Sequence, residues 1–599
     1  MLKHTERLTA WTLVTLTWLS GCAGNIGESS AKSAERSPDE GTVSNQEPDS
    51  GPERSNISGD ERMTAPTDDA ESSGDDRGLS EVEPYQPPEA RLRRLTRTQF
   101  HNALESLLGK PVITDNMPSD NYEEGFAVVG ASTIATSPLG VERYHHIVEE
   151  NVELVFADEV RRKELLGCVV STWTDPCAQG YLHSQGRLAF RRDLTDEEVE
   201  QLAHVAEVAE HELGDAYAGL QWATVALLTS PNFLYRSEWG SASTAAAQRL
   251  TGYAMASRLV FALWNRPPDE ELLDEAALGN LDTAEGVNAA ARHLLTANYG
   301  HEAIGSFVDE YMRLDRIAGQ HKDPAMFPEY TPALQAGMVT DMRSTWQELA
   351  FVLDGNALDL FTTETAVVNA DLAHLYGIND EGLSSTDFKV IDLPTASGYG
   401  GILSKPAFLS QFANQTEGSP TLRGKFIREA VLCTPIPPPP AGVTVEFEDS
   451  SDATTKREKL AMHRTDPTCS GCHSLMDPLG LPLESFDAIG RFRTEDQGEM
   501  LDLSGEVDGT LVSNASELGL ALSKSTGVAR CLVSKYYTYV LGYKPRPEER
   551  PFDEALYRSF SESGYKLKQL ILDAVATDAF QLVSVAKGVN DVARNETAY

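Results

Sequence analysis

Cys469-Ser470-Gly471-Cys472-His473 is the stretch whose residue types and spacing define a specific chemistry. Two thiols with two residues between them match the separation of the vinyl-derived carbons of a haem, to which they add as thioethers. The histidine that follows can turn its imidazole to the iron as the proximal ligand. The expected cofactor is one covalent haem c, held by Cys469, Cys472 and His473. The same residues admit other chemistries. Together with His463 they compose a Cys2His2 set for zinc, although adjacent Cys472 and His473 are awkward as two ligands of one tetrahedral ion. Disulfide exchange between Cys469 and Cys472 is a third reading, but no βαβ pattern surrounds them.

A haem held this way needs its sixth position settled, and the nearby candidates are Met462, His463, Met476 and Met500. Met476 lies three residues after His473, so on one helix both share a face and cannot bracket an iron. A turn at Asp466-Pro467 can fold His463 across, which makes it the better candidate, beside its plainer reading as a surface or core-bonded histidine. An open sixth position would permit peroxide or oxygen chemistry instead. Beyond the motif, Asp477-Pro478-Leu479-Gly480 reads as a turn, and Leu481 and Phe486 as packing for an apolar haem face. Arg491 and Arg493 can meet haem propionates by charge-assisted hydrogen bonds, or else pair with Glu484, Asp487 or Glu495.

Thioether haem is attached outside the cytoplasm, and the N-terminus agrees with export. Lys3 and Arg7 precede an apolar run from Trp11 to Leu19 that is too short to span a bilayer stably. It closes with Leu19-Ser20-Gly21-Cys22, which resembles the lipobox of bacterial lipoproteins, and that resemblance implies acylation of Cys22 as the new N-terminus. Ala23 stands where an inner-membrane retention signal would usually have Asp, so the same resemblance implies transfer to the outer membrane. Residues 23–88 are dominated by Ser, Glu, Asp, Gly and Pro, with too few large apolar side chains to offset the entropy of ordering them. They read as a disordered tether.

The chain has seven cysteines, at 22, 168, 177, 433, 469, 472 and 531. With Cys22 assigned to lipid and Cys469 and Cys472 to the cofactor, four are left for two disulfides. Cys168 and Cys177 are close in sequence and should bridge to each other, which leaves Cys433 for Cys531 by elimination.

The elements that must position this chemistry read as helices. Thr96 with Gln99 fits a capping box before the apolar stripe Phe100, Leu104, Leu107 and Leu108, with Gly109 as the stop. Thr195 with Glu198 opens a second helix, and further helices are expected from Leu220 to Leu228 up to Ser230-Pro231, and from Leu250 to Trp264. Others are expected over Met338–Leu353, Cys531–Leu541 and Leu567–Phe580. Strand signals are few and short. Gly398-Tyr399-Gly400-Gly401 lacks phosphate-loop spacing and reads as a tight turn, while Pro437–Pro440 reads as a stiff connector before the motif. There are 91 acidic against 50 basic residues, a formal charge of −41, which opposes nucleic acid as a partner. No Ser-His-Asp order, His-Glu-x-x-His helix or nucleotide loop is legible.

His463-Arg464, Cys469–His473, Met476–Gly480, Glu484, Phe486-Asp487 and Gly490-Arg491 resemble a large exported protein family of myxobacteria and planctomycetes. Its members string domains of unknown function around a cytochrome-c-like motif. The resemblance extends to Leu95–Leu108, Phe190–Thr195, Ser230–Tyr235, Gly400–Leu403, Arg423-Gly424 and Tyr539–Gly542, nearly the whole chain from Leu92. It implies no established reaction. The expected fold class is mainly α, a multidomain helical protein with a cytochrome-c-like haem-binding segment. The expected parts are the signal peptide 1–22, the tether 23–88, helical domains at 89–160, 161–245 and 246–398, the haem-binding domain 399–500 and a helical C-terminal domain 501–599. The expected function is one-electron transfer to an unidentified redox partner by an exported protein held at the membrane through its lipid. The alternatives are a haem-dependent peroxidase or oxidase, and a surface binding or scaffold protein with structural haem or zinc.

Overall fold

Side-chain caps open the helices where the sequence places them. In the computed structural model, which describes residues 85–133, 136–241, 247–296, 299–394, 397–438 and 455–584, the Thr96 hydroxyl accepts the Gln99 amide while the Gln99 side chain accepts that of Thr96. This reciprocal cap starts Arg97–Leu108, which stops at Gly109 with φ 73°. Thr195 and Glu198 repeat the device before Asp196–Leu213. The protein is mainly α, and its strands among the described residues are two to four residues long and pair only in antiparallel twos. Cys22, the signal peptide, nearly all of the expected tether, and Pro439 and Pro440 lie outside the described residues.

Several boundaries differ from expectation for local reasons. Leu250 does not start a helix. It follows the strand Ala247–Arg249, and Thr251 caps Gly252–Leu263 by accepting the Ala254 amide. Ser230-Pro231 ends one helix but opens another, Pro231–Leu234, because proline at the first helical position has no amide to satisfy. The helix expected from Met338 begins at Pro332 behind a Thr331 cap and passes after Gln347 into a wider π-type turn over Glu348–Val352. At the other end of the tether, the Pro88 carbonyl accepts from Ser584 and that of Gln86 from Arg546, so backbone pairing starts before residue 89.

The short strands join segments far apart in sequence. Leu92–Arg94 pairs with Tyr235–Ser237, and Ala247–Arg249 pairs with Leu582–Ser584 near the end of the chain. A buried cluster continues the tie. Glu238 lies 2.9 Å from Arg93 and 3.6 Å from Arg258, and the Arg258 guanidinium sits over the Phe580 ring. The described residues from Gln86 onward form one compact unit. The Cys168–Cys177 and Cys433–Cys531 disulfides are both present, with Cα separations of 6.4 and 5.4 Å. The second ties Cys433, four residues before the proline connector, to the Thr526–Leu541 helix.

Candidate functional site

The expected turn at Asp477–Gly480 is instead the last part of a helix, Ser470–Gly480, with Pro478 inside it. Proline removes one hydrogen bond from the helix interior and normally ends or kinks it. Tertiary contact holds this one. A Cβ on Gly480 would meet the Pro420 carbonyl and one on Gly424 would meet the Met476 carbonyl, so the motif helix and Pro420–Phe426 touch backbone to backbone through two glycines.

Arg423 locks that contact. It is completely buried and donates to the carbonyls of Leu483, Phe486, Leu409 and Asp487 at 2.7, 3.1, 3.2 and 2.9 Å, with Glu484 at 3.7 Å. Burial brings its pKa down to about 10, and burial also pushes the Glu484 carboxyl up, against the pull of Arg423 and Arg493. The loop after the motif helix is thereby pinned to the helix on which it packs. Phe486, expected against haem, is covered by protein, with the Tyr399 and Phe492 rings at 5.1 and 5.8 Å. Leu481 is buried likewise. Gly398 and Gly401 take positive φ in the tight turn that carries Tyr399.

Cys469 stands at the N-terminal end of the motif helix. The Asp466 carbonyl accepts from the Cys469 and Ser470 amides at 3.2 and 2.8 Å, and the Cys469 carbonyl accepts from Cys472 and His473 at 3.3 and 3.1 Å. The Asp466 side chain accepts the Thr468 amide at 2.7 Å, and that bond holds its carboxyl below the usual range. One helical turn therefore presents both thiols and the imidazole. Cys469 and Cys472 are partly exposed free thiols, and Cys472 donates to the Pro437 carbonyl at 3.2 Å. His473 Nδ1 lies 3.2 and 3.1 Å from the two oxygens of Asp477, which is fully buried and accepts the Thr421 hydroxyl at 2.8 Å.

The turn after Lys456–Thr465 folds His463 back onto the motif. Its ring centroid lies 5.0 Å from that of His473 at 57°. Met462 and Met500 are exposed, whereas Met476 is buried on the motif helix itself. Arg491 pairs with Glu329 from a distant segment. Arg493 binds Glu484 at 3.2 Å and Asp496 at 2.9 Å. Among the described residues no group of three or more His, Cys, Asp or Glu side chains is arranged to hold a metal ion, and no helix is long and apolar enough to cross a membrane. Sequence reading missed Asp477, Thr421 and the carbonyl-binding role of Arg423. The four-residue step from His473 to Asp477 was the available signal, hidden by reading Asp477-Pro478 as a turn.

The donor set fits a covalently attached haem. Two reduced thiols and an imidazole with one nitrogen already engaged share a helical turn. His463 stands close to the His473 ring and would have to move if His473 held an iron.

Comparison with protein families matches five models in succession. They are described as proteins of unknown function DUF1587 at 93–157, DUF1595 at 177–238, DUF1592 at 250–378, DUF1588 at 399–496 and DUF1585 at 508–580. The motif helix and its clamp fall in the fourth, a family also called PSCyt3. The chain is thus a multidomain protein built from five adjacent domains of unknown function. No curated protein and no solved structure matches it.

Proposed function

We propose that this chain is an exported, lipid-anchored c-type haem protein that passes single electrons to a redox partner. The observation that supports it best is the fate of the cysteines: of the six described, four are bridged and the two left reduced are Cys469 and Cys472, on one helical turn with His473. Bound there, the haem supplies one-electron ferric and ferrous chemistry. Cys469 and Cys472 would hold it, and His473 would ligate the iron. The Pro420–Phe426 clamp would keep the turn rigid. The pairings of Arg491 and Arg493 with Glu329, Glu484 and Asp496 would have to exchange before either arginine could bind a propionate. Cys22 would carry the lipid that holds the protein at the outer membrane.

The test is to produce the full chain, with its own N-terminus, in a host competent in cytochrome c maturation and to record the pyridine haemochrome together with oxidised and reduced spectra. The expected result is one double-thioether haem per chain with a low-spin, six-coordinate spectrum. Absence of covalent haem overturns the reading. A high-spin spectrum that shifts on adding peroxide replaces electron transfer with a haem enzyme.

A further inference from the structure

The inner side of the motif helix holds a second group of residues that thioether attachment does not require. We infer that Asp477 is a positioning residue for His473 that sets the iron's reduction potential low, and that Thr421 moderates it; the inference rests on the haem reading above. A carboxylate offers only lone pairs, so the proton between Asp477 and His473 sits on Nδ1 and leaves the Nε2 lone pair for the iron. Four residues separate His473 from Asp477 on one helix, and the Asp477 side chain is wholly shielded from solvent. Asp477 is fully buried, and its carboxylate meets the His473 ring and the Thr421 hydroxyl.

A buried negative charge hydrogen-bonded to the back of a ligating imidazole makes it a stronger electron donor, which favours ferric over ferrous iron. This is a more basic axial ligand than a backbone carbonyl acceptor would produce. Thr421 acts in the opposite sense. Its hydroxyl draws charge from one of the oxygens that face His473. The two substitutions should therefore move the potential in opposite directions, which a merely structural role for the group would not do.

The experiment is a potentiometric titration of the haem-loaded full-length wild type, Asp477→Asn and Thr421→Val, with the visible spectrum as readout. Asp477→Asn keeps the shape and an acceptor oxygen but removes the charge. It should raise the ferrous-to-ferric ratio at fixed ambient potential at least tenfold, about 59 mV for one electron. Thr421→Val should lower that ratio by a smaller factor. If Asp477→Asn fails to fold, the sign of the Thr421→Val shift decides alone: a fall supports the inference, and a rise or no change overturns it. A loaded Asp477→Asn protein with an unchanged potential, or shifts of the same sign in both variants, also overturns it while leaving the haem reading intact. A wild type without covalent haem overturns both.

Discussion

The Cys433–Cys531 bridge and the Cys469, Cys472 pair belong to neighbouring parts of the molecule, yet the fold treats their thiols in opposite ways. Cys433 and Cys531 are separated by 98 residues and brought together by tertiary packing, which closes a loop around the whole motif segment. Cys469 and Cys472 are three residues apart and stay reduced along one turn of helix, where the backbone holds them in series and each can face a common third body. Cys168–Cys177 stands between these cases, since it is local but spans a loop rather than a helix and is oxidised. In this chain the two pairs that close a loop are bridged, and the pair whose spacing a helix already fixes is left reduced.

The largest effect that would sharpen this contrast is on cofactor retention. Cys469→Ala or Cys472→Ala should abolish double thioether attachment while the far-ultraviolet circular dichroism of the helical fold is retained. Mass spectrometry showing normal attachment at both positions in either variant would end the distinction. Next is the long bridge. In the chain-entropy account, closing a loop of about 100 residues contributes ~4.7 kcal/mol, so Cys433→Ser with Cys531→Ser should lower the denaturation midpoint strongly and loosen the motif segment, as read by hydrogen exchange. The short bridge should matter least. Cys168→Ser with Cys177→Ser removes a loop of nine residues, worth ~2.6 kcal/mol by the same account. Haem retention should be unchanged. Equal losses from the two double variants would contradict the assignment of the long bridge as the staple of the motif region.

Much of the fold was legible locally. The caps at Thr96 and Thr195, the stop at Gly109 and the scarcity of strands follow from short-range hydrogen bonding that survives tertiary packing. The two disulfides were legible by counting. What misled was proline. Pro231 and Pro478 both read as breaks, yet one starts a helix and the other lies inside one. In the second case the reason is not local, because the Gly424–Gly480 contact and the Arg423 bonds to four carbonyls hold the segment that Pro478 weakens. Arg191 shows the same lesson in the N-terminal half. Its motif resembled the family's, but only the fold explains it, since its guanidinium donates to the carbonyls of Asn232, Phe233 and Tyr235 and so joins two of the matching stretches.

By itself the sequence determined the helical class, the capped ends, the cysteine pairing and the one turn on which two thiols and a histidine stand together. All of these depend on neighbours along the chain or on counting. Only the tertiary structure decided which residues stand behind that turn. Arg423, Thr421 and Asp477 act through burial and through partners up to 64 residues away, whereas His463 meets His473 across the local turn that the sequence already marked at Asp466-Pro467. A hydrogen bond to a buried carboxylate is strong because water is excluded around it, and exclusion of water is a property of the packed fold, not of any short stretch of sequence.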